Sequence, residues 1–499
     1  MTSQTITSAF PNPFVPGTLS RPAIIAIALV PCADYLLFDQ KIGLSLFIFA
    51  VLLAIGSALA RGALAAPGIP FLVLALLPLI ESVGPLSIGF AVIGLIGFAL
   101  TSLHPRPPHF LWFAGTGISW LYRDLYAAAT RKRPAPATPL PWSGRLLQWL
   151  VPAVLFSAFL WLFSRANPLI EAGLAAMNPM IALAQINFGR LLFWLSVLSA
   201  VWPFVRPRLR RKPPTASATV VAAAPADGWI GLVLGPASIL RSLVLFNGLF
   251  AIQSALDIAY LWNGNTLPDH LSFAAYAHRG AYPLVVTALL AGAFLIAATR
   301  KGGAAERSGL IRLLIHLWTA QNLLLVASSI LRLDLYVAAY SLTYLRFAAF
   351  IWMLLTAGGL VLILVRMMFD KSNGWLITAN LVNLAAALYV SAFVDFPGIV
   401  AGYNVRHSYE MSGSGTHLDL DYLKSLGPMA LPAFDAYLVG VPAKPPIFTE
   451  ACWDRDELAD RIRTNQPGWR GWSLRRWRLD RYLTSPLVAT AERQCAQAR

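Results

Sequence analysis

The feature that most constrains this chain is a series of eleven apolar stretches, separated by short polar or basic segments. An α-helix needs about 20 apolar residues to cross the hydrocarbon core of a bilayer, and these stretches approach or reach that length. Their approximate limits are 22–38, 42–60, 67–83, 86–104, 146–164, 181–205, 236–262, 281–299, 309–331, 341–366 and 374–396. The sequence therefore predicts an all-α fold, a polytopic membrane helix bundle of about 11 spans with a small helical extracytoplasmic C-terminal domain.

Composition supports a membrane protein and argues against a protein that binds nucleic acid. Of the 499 residues, 57% are hydrophobic and 12% are charged, whereas soluble domains carry about 25% charged residues. The net charge of +16 could attract nucleic acid, but most of the excess lies in short loops between apolar stretches. The positive-inside rule accounts for basic residues in such loops. We therefore expect membrane lipids as partners and no nucleic acid.

The distribution of basic residues sets an orientation. If the N-terminus is cytoplasmic, the inner loops and span ends carry seventeen Lys and Arg residues and the outer ones carry four. Cytoplasmic loops are enriched in these residues, so we predict a cytoplasmic N-terminus, and eleven spans then place the C-terminus outside. Residues 1–20 have no basic n-region and no cleavage site, so we interpret the first span as an uncleaved signal-anchor.

Changes in composition divide the chain into five predicted parts. They are a polar N-terminal tail at 1–21, a membrane bundle of six spans at 22–205, a basic Pro/Ala-rich cytoplasmic linker at 206–228, a second bundle of five spans at 229–397 and a soluble helical periplasmic domain at 398–499. The basic cluster at the start of the linker is interpreted as a stop signal for the sixth span. The aromatic and basic stretch within 105–145 is either an interfacial amphipathic helix on an anionic leaflet or a segment packed under the spans.

The C-terminal part differs from the spans because residues 398–499 hold thirteen Lys and Arg and eleven Asp and Glu. We predict four short helices there, at 418–427, 428–438, 454–465 and 485–499, with Gly427 and Pro428 as the break between the first two. The third helix has Asp454 or Asp456 near its predicted N-terminus. The Trp- and Arg-rich stretch at 468–483 either stacks aromatic rings on guanidinium groups or lies at a lipid headgroup layer.

Ionisable and aromatic side chains at the span ends are the candidate functional residues. Residues 332–346 combine two arginines, a carboxylate and tyrosines at 336, 340 and 344, which would share one face of a helix. Charged groups inside a bilayer cost about 3 kcal/mol each on insertion scales, so they usually face protein or a water-filled cavity. The predicted orientation places the following residues near the outer face: Asp257, His270, His278, Arg279, Arg332, Asp334, Tyr336, Tyr340, Tyr344, Arg346, Asp395, Asn404, Arg406 and His407.

Two interpretations of this set stay open. In the first, the side chains line a polar cavity covered by the C-terminal domain, where arginines bind phosphate or carboxylate groups and a carboxylate with a histidine supports acid–base chemistry. In the second, they pair with one another, fix helix ends and dock the C-terminal domain. Within the spans, Gln253 shares a helix face with Asp257, and Asn380 and Asn383 are interpreted as interhelical contacts.

Several kinds of site lack their sequence motifs. Walker-type loops, GxSxG and HExxH do not occur, which argues against ATP hydrolysis and metalloprotease activity. No Cys/His spacing fits a zinc site. We therefore expect no metal and no cofactor.

The three cysteines suggest a disulfide. Cys32 lies in the first span and is interpreted as a small apolar residue. Cys452 and Cys495 both lie in the part predicted to be periplasmic, a compartment that forms disulfides. A bridge between them would close a loop of about 43 residues and contribute roughly 3–4 kcal/mol by loop-closure entropy.

Four motifs resemble a known bacterial multi-pass family. They are YAHRGAYPLVVTALL at 276–290, SLTYLRFAAFIWMLL at 341–355, YNVRHSYE at 403–410 and LDLDYLKSLGPMALPAF at 418–434. The family is catalogued as a domain of unknown function, the 4173 kind, akin to the 4153 kind, and the resemblance covers roughly 230–499. It implies a bacterial inner-membrane protein and brings no assigned reaction. The family often has an acidic residue in its Leu-Gly-x-x-Ala segment, where this chain has Pro428 and Met429.

Three functions from different classes fit these observations. The first, which we favour, is a sensor or scaffold in envelope homeostasis that meets a periplasmic protein partner through 398–499. The second is a transporter or binder of an anionic lipid or lipid-linked sugar at a polar cavity on the outer face. The third is a membrane-embedded transferase that uses Asp257, Asp334 or Asp395 as its base.

Overall fold

A computed structural model of the chain describes residues 20–62, 68–101, 122–124, 126–127, 152, 156, 187–206, 236–263, 308–441 and 446–498. No strand occurs among these residues, so the described part of the fold is all-helical. These residues include one π-helix, Asp257–Trp262, and two short 3-10 helices, Pro428–Ala430 and Trp469–Gly471. The α-helices, numbered here in chain order, are α1 Arg21–Leu37, α2 Leu44–Arg61, α3 Ile69–Glu81, α4 Pro85–Thr101, α5 Phe188–Val205, α6 Pro236–Leu256, α7 Gly309–Tyr340, α8 Tyr344–Met368, α9 Asn373–Phe393, α10 Phe396–Arg406, α11 Tyr409–Ser412, α12 Leu420–Ser425, α13 Leu431–Gly440, α14 Phe448–Thr464, α15 Leu474–Tyr482 and α16 Pro486–Ala498.

Six helices of the described residues are long and apolar enough to cross a membrane: α2, α5, α6 with its π-helical extension, α7, α8 and α9. Helices α3 and α4 are apolar but shorter. A multi-helix membrane protein is therefore confirmed in outline, and the count of eleven spans stays a prediction. The span predicted at 281–299 lies outside the described residues, as do most of the tail at 1–21, the loop at 105–145, the span at 146–164 and the linker at 206–228.

The tyrosine stripe predicted on one helix face is wrong at its last member, because α7 ends at Tyr340 and α8 begins at Tyr344. Ser341 has a φ of 66°, a left-handed conformation that an α-helix of L-residues does not continue through. The side chain of Thr343 then caps α8 by accepting the backbone N–H of Arg346 at 3.4 Å. The interruption separates Tyr344 from the two tyrosines of α7.

The chain divides into two compact units. The first contains the described residues of Met1–Leu77, Gly89–Arg210 and Trp469–Gly471, and the second contains those of Pro78–Ile88, Arg211–Gly468 and Trp472–Arg499. The linker predicted between the two bundles lies outside the described residues, apart from Arg206, so the division into five parts stays a prediction.

In the first unit, α1, α2 and α5 pack against one another. Asp34 of α1 accepts hydrogen bonds from Arg190 Nε and Trp194 Nε1, both at 2.8 Å. Ser57 Oγ of α2 donates to the carbonyl of Phe204 at 2.7 Å. Polar contacts thus join α1 to α5 and α2 to the C-terminal end of α5.

In the second unit, α6, α7, α8 and α9 pack in chain order, each against the next. Asn383 of α9 donates from Nδ2 to the carbonyl of Leu355 in α8 at 3.3 Å, which agrees with its predicted interhelical role. Gly358 faces this contact, since a Cβ there would come within 2.8 Å of the Asn383 amide nitrogen. The missing side chain therefore makes room for the asparagine between the two helices.

The helices from α10 onward pack around one apolar cluster. It includes Val400 of α10, Phe434 of α13 and Ile462 of α14, and it extends to Val337 of α7 and Leu342 of the following turn. The ends of two membrane helices therefore share a core with the C-terminal helices.

The predicted C-terminal helices are found in the structure, with differences at two boundaries. Helices α12 and α16 lie within the predicted stretches, α13 continues to Gly440, past its predicted end at 438, and Gly427 forms the break with a φ of 76°. The third helix begins at Phe448 instead of 454, because its apolar face continues through two buried residues, Ala451 and Cys452. Asp454 is therefore a buried mid-helix residue, which corrects its predicted place near the N-terminus.

Candidate functional site

The most buried of the predicted site residues form an ion pair between two membrane helices. Arg332 of α7 donates from Nη2 to Asp257 Oδ1, and the two side chains are 6% and 1% exposed. Gln253 also donates to Asp257 Oδ1, at 2.9 Å, from the helix face predicted for it. A buried charge without a partner has a high free-energy cost, and the ion pair lowers that cost for both side chains.

The backbone at Asp257 departs from regular α-helix. The π-helix that begins there runs to Trp262, whose indole N–H donates to Ser328 Oγ of α7 at 3.1 Å. Ser328 lies four residues before Arg332, so the two contacts join the same pair of helices one turn apart. π-helical turns are rare in proteins, and those that occur are frequently found at functional sites.

A second group surrounds the turn between α7 and α8. Arg346 donates from Nη1 to the carbonyl of Tyr340 at 2.5 Å and to that of Ser341. Its guanidinium carbon lies 4.5 Å from the ring centroid of Tyr336, whose ring is 4.8 Å from that of Tyr340. The last carbonyls of a helix lack intrahelical partners, and a cation stabilises that end of the helix dipole. Arg346 therefore closes the C-terminus of α7.

Asn404 joins this turn to α10. Its Oδ1 accepts the backbone N–H of Leu342 at 2.7 Å, and its Nδ2 donates to the carbonyl of Leu342 at 2.9 Å. The side chain is buried, and buried backbone groups need such partners. A predicted site residue is thus a two-bond clamp between the turn and α10.

The predicted residues at the C-terminal end of α10, Arg406 and the following His407, make local contacts. His407 stacks on Tyr403 with ring centroids 4.1 Å apart, and Arg406 donates to its own helix at Gly402 O at 3.0 Å. Burial raises the pKa of the Tyr403 phenol, and the charge of Asp334 adds to the effect. Asp334 itself is exposed on α7.

A third group was missed by the sequence reasoning. Glu81, buried at the end of α3, accepts from Arg478 Nη1 at 3.0 Å and lies 3.4 Å from Arg475 Nε. Arg475 also donates to the carbonyl of Val394 at 3.0 Å. These contacts join α15 to the ends of α3 and α9. The available signal was a carboxylate at the end of a predicted span, but nothing local indicated its partners.

Asp395 caps α10 beside this group. Its Oδ1 accepts the backbone N–H of Gly398 at 3.3 Å. Burial raises the pKa of the Asp395 carboxyl, while the Gly398 N–H and the charge of Arg475 oppose that rise. Its contacts are those of a helix cap.

The C-terminal helices contain a disulfide and a buried charge network. The sulfurs of Cys452 and Cys495 lie at disulfide distance with Cα atoms 5.5 Å apart, as the sequence predicted. Asp435 Oδ1 accepts from Arg455 Nε at 2.8 Å, and Asp435 Oδ2 accepts from Tyr482 Oη at 2.9 Å. Burial raises the pKa of the Asp435 carboxyl, against the hydrogen bond from Arg455. The phenol pKa of Tyr482 is also raised, first by burial and then by the Asp435 charge.

Three of the predicted site residues, His270, His278 and Arg279, lie outside the described residues. A groove of ≈ 590 Å³ lies between α8 and α9, and none of the predicted site residues lines it. In the described part of the chain, no three His, Cys, Asp or Glu residues come close enough together to hold a metal ion.

The sequence profile of a family described as "Domain of unknown function (DUF4153)" matches residues 23–437. The chain belongs to this family. The match begins at 23, well before the segment of 230–499 that the four motifs indicated, and ends at 437. No curated protein and no solved structure matches the chain. The DUF4153 description names no reaction.

Proposed function

We propose that this DUF4153 protein is a multi-pass protein of a bacterial inner membrane that acts as a sensor or scaffold in envelope homeostasis. In this proposal it has about 11 spans, a cytoplasmic N-terminus and a periplasmic C-terminal domain at 398–499. The basic residues of the loops support that orientation. The resemblance to the 4173 kind supports the bacterial inner membrane, and the disulfide supports an oxidising compartment for the C-terminal helices.

The observation that carries the proposal is the core shared by membrane helices and C-terminal helices. Val337 and Leu342 belong to the same buried cluster as Val400, Phe434 and Ile462. Packed interiors are close to crystal density and transmit displacement instead of absorbing it. A partner that moves the C-terminal helices would therefore move the α7–α8 turn.

The exposed face of α14 is suited to a protein partner. Trp453 is 65% exposed there, while Cys452 beside it is buried in the core. Glu450, Glu457 and Asp460 are also exposed and follow the same helix face at intervals of three and four residues. Exposed tryptophans surrounded by polar groups are common at the centres of protein interfaces.

Site-specific crosslinking in cells tests the scaffold. A photoreactive residue replaces Trp453, and a matched control places it at Gln497, which is exposed on α16. We expect a covalent adduct of defined mass from position 453 and none from 497. The same adducts from both positions, or none from either, would contradict a specific partner surface on α14.

Two measurements test the sensor and its orientation. A reporter that is active only outside the cytoplasm, fused after Arg499, should be active. Asn404→Leu, which breaks the clamp to the α7–α8 turn, should abolish the envelope-stress response of the intact chain at equal protein level. A normal response from that variant would show that the shared core carries no signal.

The two alternative functions have weaker support. A transporter or binder that uses a large polar cavity needs accessible charges, yet Asp257 and Arg332 are closed on each other. A transferase needs a base that faces its substrate, yet Asp395 caps a helix. Asp334 is exposed, so the transferase can be tested at this residue. If Asp334→Asn fails to restore the envelope phenotype of a deletion strain at unchanged protein level, the transferase is favoured.

A further inference from the structure

Arg346 differs in its contacts from Arg332, Arg475 and Arg478. Arg332 is paired with Asp257, and Arg475 and Arg478 are paired with Glu81. The partners that the described residues give to Arg346 are two backbone carbonyls and two tyrosine rings, with no carboxylate among them. It is a cation at the edge of a membrane helix whose charge is not neutralised by an acidic side chain of the described chain.

The contacts of Arg346 leave one edge of its guanidinium unused. Nη1 donates to the carbonyls of Tyr340 and Ser341, and the face of the group lies 4.5 Å from the Tyr336 centroid. The edge formed by Nε and Nη2 has no acceptor among the described residues, and neither atom is buried. That edge carries two parallel N–H groups, the fork that binds two oxygens of one phosphate. The stacking and the carbonyls hold this fork in place.

The surroundings of Arg346 place this fork at the boundary between headgroups and hydrocarbon. Leu345 beside it is 84% exposed, and Tyr340 and Tyr344 are about half exposed. Helix α8 begins here and has the highest mean hydropathy of the six candidate spans, 2.5. Tyrosines concentrate at membrane interfaces, where a ring contacts acyl chains and its hydroxyl meets headgroups. An anion at this level belongs to a lipid more readily than to bulk water.

We propose that Arg346, positioned by Tyr336 and Tyr340, binds the phosphodiester group of an anionic phospholipid in the leaflet next to the α7–α8 turn. The Nε and Nη2 groups donate to two phosphate oxygens, and the acyl chains lie along the apolar face beside Leu345. The N-terminus of α8 adds a favourable dipole for an anion. Asp334, which is exposed on α7, makes no ion pair with Arg346. This site does not depend on the coupling proposed above.

The test uses the full chain in nanodiscs that contain phosphatidylcholine and phosphatidylglycerol, followed by detergent extraction and native mass spectrometry. The wild type should retain phosphatidylglycerol in preference to phosphatidylcholine. Arg346→Gln should lower that retention about tenfold, the fold-change expected when a charge-assisted contact is lost. Arg346→Lys keeps the charge without the fork, so its phosphatidylglycerol retention should lie between those of the wild type and Arg346→Gln.

Arg406→Gln is the matched control, because Arg406 is an exposed arginine that donates within its own helix. It should leave phosphatidylglycerol retention unchanged. Equal retention by wild type and Arg346→Gln would overturn the proposal, as would an equal loss in Arg406→Gln. Displacement of the lipid by millimolar inorganic phosphate would show a site for free phosphate instead.

Tyr336→Leu decides the question if Arg346→Gln does not fold. It removes the ring beneath the guanidinium and leaves the charge and an apolar side chain in place. A fork that is no longer held should retain several-fold less phosphatidylglycerol than the wild type. Unchanged retention in this variant would refute a positioned headgroup site.

Discussion

The ion pair between Asp435 and Arg455 allows a quantitative test of how the C-terminal helices are stabilised. Both side chains are almost completely buried, 0% and 1% exposed, and Tyr482 donates to the second carboxylate oxygen. Arg455 also contacts Asp456 at 3.0 Å and Glu492 at 3.3 Å. We consider Arg455→Met, Asp435→Asn and the double variant, which removes both charges and keeps an acceptor for Tyr482.

The magnitude follows from what each change leaves behind. Removing one member of a buried ion pair leaves an uncompensated charge and costs about 3–5 kcal/mol, whereas replacing both members by neutral groups is often close to neutral. Every 1.4 kcal/mol changes an equilibrium constant about tenfold. Arg455→Met should therefore raise the population of the opened C-terminal helices by roughly two to three and a half orders of magnitude, and the double variant should recover most of that loss.

Hydrogen exchange of the intact protein in nanodiscs measures this population, because amides of a buried helix exchange through opening. Peptides that cover α13, Leu431–Gly440, report it directly. Arg461→Met is the control, since Arg461 is 62% exposed and its contact with Glu457 is a surface pair. Such pairs contribute about 0.3–0.5 kcal/mol, so α13 should exchange at most about threefold faster.

Lowering the pH provides a second test of Arg455→Met, because it should reduce the destabilisation that this substitution causes. Burial raises the pKa of the Asp435 carboxyl, and removing Arg455 removes a group that opposes that rise. A neutral carboxyl is easier to bury than a carboxylate. The excess hydrogen exchange of α13 in Arg455→Met over the wild type should therefore decrease as pH falls toward 4, after correction for the pH dependence of intrinsic exchange rates. Wild-type protection in Arg455→Met at neutral pH, or no recovery in the double variant, would refute the reasoning.

Three further predictions concern contacts elsewhere in the chain. Alkylation of denatured, non-reduced protein should modify one thiol, that of Cys32, and three modified thiols would exclude the disulfide. Reduction should lower the free energy of unfolding of the C-terminal helices by about 3–4 kcal/mol. The hydrogen bond from Arg463 holds the pKa of Glu492 below its usual 4.5, so its stabilising contribution is present above that pH and is lost as pH falls through the lower folded pKa. Protection of α16 should consequently fall more steeply below about pH 4.5 in the wild type than in Glu492→Gln, and parallel pH profiles would contradict this. Glu81→Gln should weaken the contact with Arg475 by about 1–3 kcal/mol and speed exchange in α15 without affecting α13, and uniform exchange in both helices would argue against a local role.

The features that the sequence predicts well depend on neighbouring residues. Long apolar runs identify α2 and α5 to α9, because hydropathy is a property of consecutive side chains. The hydrogen bond from Gln253 to Asp257 follows from their spacing of four, and the break at Gly427 follows from its tolerance of a positive φ. The cysteine pairing was predictable because the other cysteine lies in an apolar stretch.

The features that the sequence does not predict depend on distant residues or on unusual backbone. Glu81 and Arg475 are 394 positions apart, and no local pattern relates them. Ser341 ends α7 with a positive φ, although serine has no strong preference for that conformation. Asp435 lies in a mainly apolar helix, where its buried partner Arg455 could not be inferred from spacing.

The clamp at Asn404 and the proposed lipid site meet at the same turn, and this makes a final prediction. Asn404 holds both backbone groups of Leu342, and Arg346 binds the carbonyl of the preceding Ser341. If C-terminal displacement moves the turn, it changes the position of the Arg346 fork, and coupling between two sites is reciprocal by thermodynamic necessity. Asn404→Leu should therefore lower phosphatidylglycerol retention, and added phosphatidylglycerol should slow exchange in α10 of the wild type but not of Arg346→Gln. An effect in one direction without the other would show that Asn404→Leu perturbs the turn without linking two binding events, because linked equilibria cannot be one-sided.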